Sequence, residues 1–152
     1  MIVRVDETNL SAAAEVYMLS WKDSHKDICS KEFIEKHDLE YMEAYLRQKL
    51  NGGCKIYLNC SENKPLGIAG IAPDDEICLL YVLPNEQGKG CGSELLEYAI
   101  KLCEKPWLTV LETNLNAIKF YEKRGFIFDG EKDISSKKRI SEYKYVYRGE
   151  NM

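Results

Sequence analysis

Hydrophobic and polar positions along the chain change period several times, and each change marks a new element. Ile2 to Val5 reads as a short strand, and Leu10, Ala13, Ala14, Tyr17, Met18 and Trp21 then recur at helical spacing behind Thr8 or Asn9, either of which suits a cap. Asp23 to Leu50 is mostly polar. Helices are predicted after Ser30 and near Asp38, with a broken apolar stripe at Phe33, Ile34, Leu39, Tyr41, Met42, Tyr45 and Leu46, and Asn51-Gly52-Gly53 closes the segment. Cys54 to Cys60 and Pro65 to Ile71 flank the turn residues Ser61 to Lys64, the pattern of an antiparallel hairpin. Glu76 to Leu83 is almost continuously apolar, as expected of a central strand covered on both faces.

A helix is predicted from about Gly88 to Cys103, with Leu95, Leu96, Ala99, Leu102 and Cys103 on one side. Pro106 to Glu112 is a further strand, and Asn114 caps a short helix through Lys123 that Gly125 stops. Phe126 to Phe128 and Tyr143 to Tyr147 are the last strands, joined by a polar stretch containing Lys137, Lys138 and Arg139. This order predicts an α/β fold: one mixed, mostly antiparallel central sheet of about six or seven strands with helices on both faces. Strands 76–83 and 106–112, joined by a helical crossover, should be parallel neighbours. The glycine-rich turn then falls at the carboxyl end of the central strand, where α/β sheets bind ligands. With 152 residues and no internal repeat, the chain reads as one domain over 1–152.

A net charge of -4 argues against a nucleic-acid groove, which needs a basic surface. Charges within the first seven residues and the lack of a long apolar run predict no membrane partner and a cytoplasmic protein. The six cysteines include no Cys-x-x-Cys pair, and neither His25 nor His37 sits at zinc-site spacing from them, so free thiols and no metal are expected. Monomer and homodimer are both left open.

Gln87-Gly88-Lys89-Gly90-Cys91-Gly92 lies between the strongest strand and the strongest helix. Glycines let the backbone approach phosphates, first-turn amides lack intrahelical partners, and the helix dipole favours negative charge, so a pyrophosphate fits; Lys89 adds a positive charge. The Walker A pattern fails, because Lys89 is followed by Gly90 and the earlier glycine is missing. The dinucleotide pattern fails too, since the glycines are spaced by two and position 93 is Ser. From the residues alone, such a turn serves close helix packing as readily as it serves a ligand.

The same six residues match in full the Gln/Arg-x-x-Gly-x-Gly/Ala motif of the GNAT superfamily of N-acetyltransferases, and Asn114 to Phe126 resembles that family's Asn-x-x-Ala-x-x-Phe-Tyr-x-x-x-Gly-Phe segment. The resemblance covers Pro65 to Phe128, while residues 20–50 resemble loosely the two-helix insert of the branch that acetylates polyamines and other small amines. It implies a GNAT-like fold, acetyl-CoA as co-substrate, no metal, and direct transfer of acetyl to a primary amine in a ternary complex. It further implies that the backbone of Tyr81, Val82 and Leu83 pairs with the pantetheine arm and that Gly88, Lys89, Gly90, Cys91, Gly92 and Ser93 hold the pyrophosphate. Gln87 stands where many relatives carry Arg. Asn114 would reach the cofactor arm, Tyr121 the thioester sulfur and Lys123 the nucleotide end.

An alkylamine of pKa roughly 10 must lose a proton before attack, and Glu76, at the start of the central strand, is the expected base; Glu112 and Asp75 are understudies. The bland alternative is a solvated strand end. Tyr121 is the expected proton donor to the departing thiolate, against a purely core role on the stripe Ala117, Phe120, Tyr121. A backbone N–H near Tyr81 or Val82 would stabilise the oxyanion. Acidic Asp23, Asp27, Glu32, Glu35, Asp38 and Glu40 either attract a cationic acceptor or are merely solvated. The alternative from another class is a non-catalytic acyl-CoA-binding sensor or scaffold with the same fold.

Overall fold

The structure, a computed structural model, describes residues 1–134 and 141–149; Lys137, Lys138 and Arg139 lie outside the described residues. Strand β1 (Ile2–Arg4) leads into α1 (Leu10–His25). Asn9 holds the N-cap position of α1 without capping through its side chain; instead its Oδ1 accepts from Asp6 N at 2.8 Å and its Nδ2 donates to Arg4 O at 3.0 Å. Helices α2 (Lys31–Glu35) and α3 (Leu39–Asn51) begin where side-chain caps allow: Ser30 accepts from Phe33 N–H, and Asp38 from Tyr41 N–H.

β2 (Lys55–Ser61) and β3 (Lys64–Ile71) form the expected hairpin across Glu62 and Asn63, both in the left-handed region at φ 51° and 67°. β4 (Ile77–Val82) completes a four-stranded antiparallel sheet in the order β1-β2-β3-β4. A single 3₁₀ turn (Pro84–Glu86) and the glycines precede α4 (Cys91–Leu102). β5 (Trp107–Leu111), α5 (Leu115–Lys123), β6 (Phe126–Ile134) and β7 (Ser141–Tyr147) follow, the strands forming a second sheet in the order β5-β7-β6.

The expected single sheet is therefore divided. β4 and β5 do run parallel, but among the described residues their backbones pair only at the Glu76–Trp107 bridge. Helices α1 and α3 bury Leu10, Ala13, Ala14, Met42 and Leu46 against one face of the first sheet. On the other face α4 places Leu96 and Ala99 over Ile71 and Ile77 of the first sheet and over Leu108, Val110 and Phe126 of the second. Side chains beneath α4 join the two sheets, and the space on the opposite side stays open.

Candidate active site

Two strand edges face each other across that space. In β4 the Leu83 N–H donates to Leu66 O at 2.9 Å, which assigns the neighbouring Gly67–Val82 pair to the positions whose backbone groups turn away from β3. By alternation Leu80 and Val82 present their N–H groups towards the gap, and the Leu83 amide is already used. The Val82 carbonyl accepts from Gln87 Nε2 at 3.1 Å, so the glutamine side chain closes the strand end.

The chain then turns into α4 through Gly88 and Gly90, at φ 78° and 93°, a backbone region that side chains disfavour. A Cβ on either would meet nothing within 4 Å, so the requirement there is conformational. At Gly92, by contrast, a Cβ would sit 3.4 Å from Val82 Cγ2. The N–H groups of Cys91, Gly92 and Ser93 form the first turn, which leaves them outside the intrahelical ladder.

That turn is braced from two sides. Buried Asn59 of β2 donates from Nδ2 to Cys91 O at 3.3 Å and to Glu94 Oε2 at 3.2 Å. Arg124, just after α5, donates from Nη2 to Ser93 Oγ at 2.5 Å and from Nη1 to Phe120 O at 3.0 Å, with its guanidinium 3.8 Å above the Phe120 ring. Because Ser93 Oγ accepts from Arg124, its own O–H is left to donate elsewhere. Lys89 lies 3.7 Å from Glu86 Oε2 and is largely exposed, as is Lys123.

A cavity of about 900 Å³ runs from the gap to helices α1–α3. Glu76, Tyr81, Val82, Gln87, Asn114 and Tyr121 all line it; Leu83, Lys123 and the run from Gly88 to Ser93 do not. Asn114 also caps α5, its Oδ1 accepting from Ala117 N at 3.2 Å. Burial raises the Glu76 carboxyl above the ordinary range, helped by Asp74 and Glu142 and opposed by Lys49. Burial likewise pushes the Tyr121 hydroxyl up to about 12.

Sequence reasoning missed the aromatic company of Tyr121. The rings of Tyr17 and Tyr81 lie 5.3 Å apart and those of Tyr17 and Tyr45 5.7 Å apart, and all three residues line the cavity. Burial, then neighbouring tyrosines, raise the hydroxyls of Tyr17 and Tyr81. Tyr81 was expected to act through its backbone alone, since a strand residue's outward or inward face is not evident within a continuous apolar run.

The understudy carboxylates are otherwise engaged. Asp75, at φ 71°, accepts at Oδ2 from the N–H groups of Glu104 and Lys105 at 3.0 and 2.9 Å, tying the end of α4 to the start of β4. Glu112 accepts from Tyr143 O–H at 3.1 Å. None of Asp23, Asp27, Glu32, Glu35, Asp38 and Glu40 lines the cavity; Asp23 pairs with Lys26 at 2.9 Å and Asp38 caps α3. Among the described residues no group of three or more His, Cys, Asp or Glu is arranged to hold a metal ion, and no helix is long and apolar enough to cross a membrane.

Comparison with known proteins places this architecture. The structure is similar to that of the PaiA N-acetyltransferase from Thermoplasma acidophilum in complex with coenzyme A, at TM-score 0.75 and 22% identity over 97% of this chain and 98% of that one. It is also similar to the apo form of YjaB from Escherichia coli, at TM-score 0.72 and 22% identity over 98% and 97%. Among curated relatives, a probable spermine N(1)-acetyltransferase of Bacillus subtilis subsp. natto is 36% identical over 64 residues, 38% of this chain and 42% of the relative. The peptidyl-lysine N-acetyltransferase YjaB of Salmonella typhimurium is 29% identical over 73 residues, 48% and 50% respectively. The chain thus spans half the length or less of these curated relatives. The model of the acetyltransferase (GNAT) family matches residues 14–126, most of the chain, with both Asn59 and Arg124 inside the match, and the chain belongs to that family.

Proposed function

We propose that the protein transfers the acetyl group of acetyl-CoA to a primary amine, within one domain and by direct attack in a ternary complex. The observation that carries this reading is that one continuous cavity is lined both by Gln87, which adjoins the glycine turn, and by Asn114, Glu76 and Tyr121. The amides from Gly88 to Ser93, with the Ser93 hydroxyl, would hold the pyrophosphate; Leu80 and Val82 N–H groups would pair with the pantetheine arm. Lys89 and Lys123, both exposed, would meet the nucleotide end. The reading places the work in the cytoplasm, without metal, nucleic acid or membrane; six free cysteines suit a reducing compartment.

In this scheme Glu76 takes a proton from the acceptor ammonium, directly or through water, and the free amine attacks the thioester. A carboxyl raised by burial is a better base than an ordinary one, because its pKa lies closer to that of the amine. Where the acyl end of the arm meets β4, the edge amide beside the thioester carbonyl donates to the developing oxyanion. Tyr121 faces a thiolate of ordinary pKa roughly 8.5 and, with its own hydroxyl near 12, retains its proton. It therefore stabilises the leaving group as a hydrogen-bond donor and does not complete the transfer.

Tyr121→Phe tests the scheme, because it deletes the hydroxyl and keeps the ring. Thiol release from acetyl-CoA in the presence of amine acceptors should fall about 100-fold, the cost of removing one placed hydrogen-bond donor from a developing charge, with CoA affinity little changed. Wild-type protein that binds CoA but releases no thiol with any amine would be the binding module, not the enzyme.

A further inference from the structure

The outer end of the cavity is built from α1 and the segment through α2 to the start of α3. Both histidines of the chain stack on one tryptophan there: Trp21 lies 4.2 Å from His25 and 4.1 Å from His37, with interplanar angles of 15° and 17°. Phe33 and Tyr41 extend the cluster, their rings 4.7 and 4.5 Å from that of His37. Trp21 is 8% exposed, whereas Phe33 and Tyr41 are each 47% exposed. Two half-bare aromatic rings at a cavity wall invite a ligand, since a satisfied core would have covered them.

The charge along the cavity is uneven. Its lining carboxylates, Glu76 and Glu142, belong to the β4–β5–β7 end, as does its lining cation Lys49 at the close of α3. The outer wall carries rings and small polar groups, and no carboxylate. Its imidazoles are held in place through Nδ1–H, His37 donating to Phe33 O at 2.8 Å and His25 to Trp21 O at 2.9 Å. A second ammonium at this end would find no counter-charge, whereas a flat apolar group would find faces to pack on.

The geometry points to an arylalkylamine as the acceptor: an aromatic ring seated against Phe33 and Tyr41 and a primary amine delivered to Glu76. This rests on the proposed acetyl transfer, and it departs from the polyamine class to which a curated relative belongs.

The experiment compares 2-phenylethylamine, propylamine and spermidine as acceptors for the wild type, Phe33→Ala, Tyr41→Ala and the double variant. Both residues are half exposed, so the variants should fold. Expected is a drop in kcat/KM for 2-phenylethylamine of about tenfold or more in the double variant, about 1.4 kcal/mol, with propylamine within about twofold. A second readout does not require turnover. In Trp107→Phe protein saturated with CoA, the fluorescence of Trp21 should change saturably with 2-phenylethylamine and not with propylamine. Equal losses for both monoamines, or spermidine exceeding 2-phenylethylamine in the wild type, would overturn the inference. Saturable fluorescence without acetylation of any amine would instead sink the proposed transfer and leave the ring subsite standing. Acetylation of amines with no fluorescence response does the reverse.

Discussion

Glu76 holds a carboxylate where burial disfavours charge, and two measurable consequences follow. If it is the base, the acidic limb of the kcat/KM profile lies above the ordinary carboxylate range, and Glu76→Gln should remove that limb while leaving CoA affinity alone. Stability should move the other way. A carboxyl whose folded pKa is raised contributes stability that is present below its unfolded pKa and lost as pH rises through the folded one. Thermal melts of Glu76→Gln at pH 7 should therefore lie at or above those of the wild type, with the difference vanishing in acid. Equal profiles and equal melts at all pH values would make Glu76 a solvated strand end. Glu76 and Tyr121 could be singled out because one opens the central strand and the other stands in the segment from Asn114 to Phe126; both line the cavity. Asn59 and Arg124 were not, because they act 32 and 31 positions away in sequence, where no periodicity reports them.

At the scale of elements, the start of α4 depends on those two distant side chains. Arg124 ties the end of α5 to Ser93 and so fixes the first turn of α4, to which the proposed scheme assigns the pyrophosphate. Arg124→Met keeps an apolar stem of similar reach but loses the donors, and with them the guanidinium that lies over the Phe120 ring. KM for acetyl-CoA should rise about tenfold, the worth of a charge-assisted hydrogen bond of roughly 1.5 kcal/mol, while acetyl-pantetheine, which lacks the pyrophosphate, should be turned over as before. Equal losses for both substrates would make Arg124 a general packing residue. Most elements were legible from period and caps: Ser30 and Asp38 begin their helices, and the hairpin turns at Glu62 and Asn63. The length of β6 was not, because Asp129 to Asp133 is polar and its pairing is set by β7, with an irregularity between Phe128 and Lys132.

For the molecule as a whole, a continuous sheet was expected because parallel strands joined by a helical crossover ordinarily pair along their length. What prevents it here is a contact pattern that no single segment encodes: α4 clamps the two sheets on one side, and among the described residues only the Glu76–Trp107 bridge joins their backbones. The gap has a consequence for the clock rather than the geometry of the protein. Amide protons on an unpaired strand edge trade with solvent without waiting for the fold to open, whereas those inside a ladder wait for it. Leu80 and Val82 should therefore be fast deuterium exchangers in the middle of an otherwise slow strand, with Tyr81 and Leu83 slow beside them. CoA should slow Leu80 and Val82 selectively, and adenosine 3′,5′-bisphosphate, which has no pantetheine arm, should not. Uniform slowing by both ligands would mean that the arm never takes the place of the missing strand, and that the two amides merely register how firmly the fold as a whole is held.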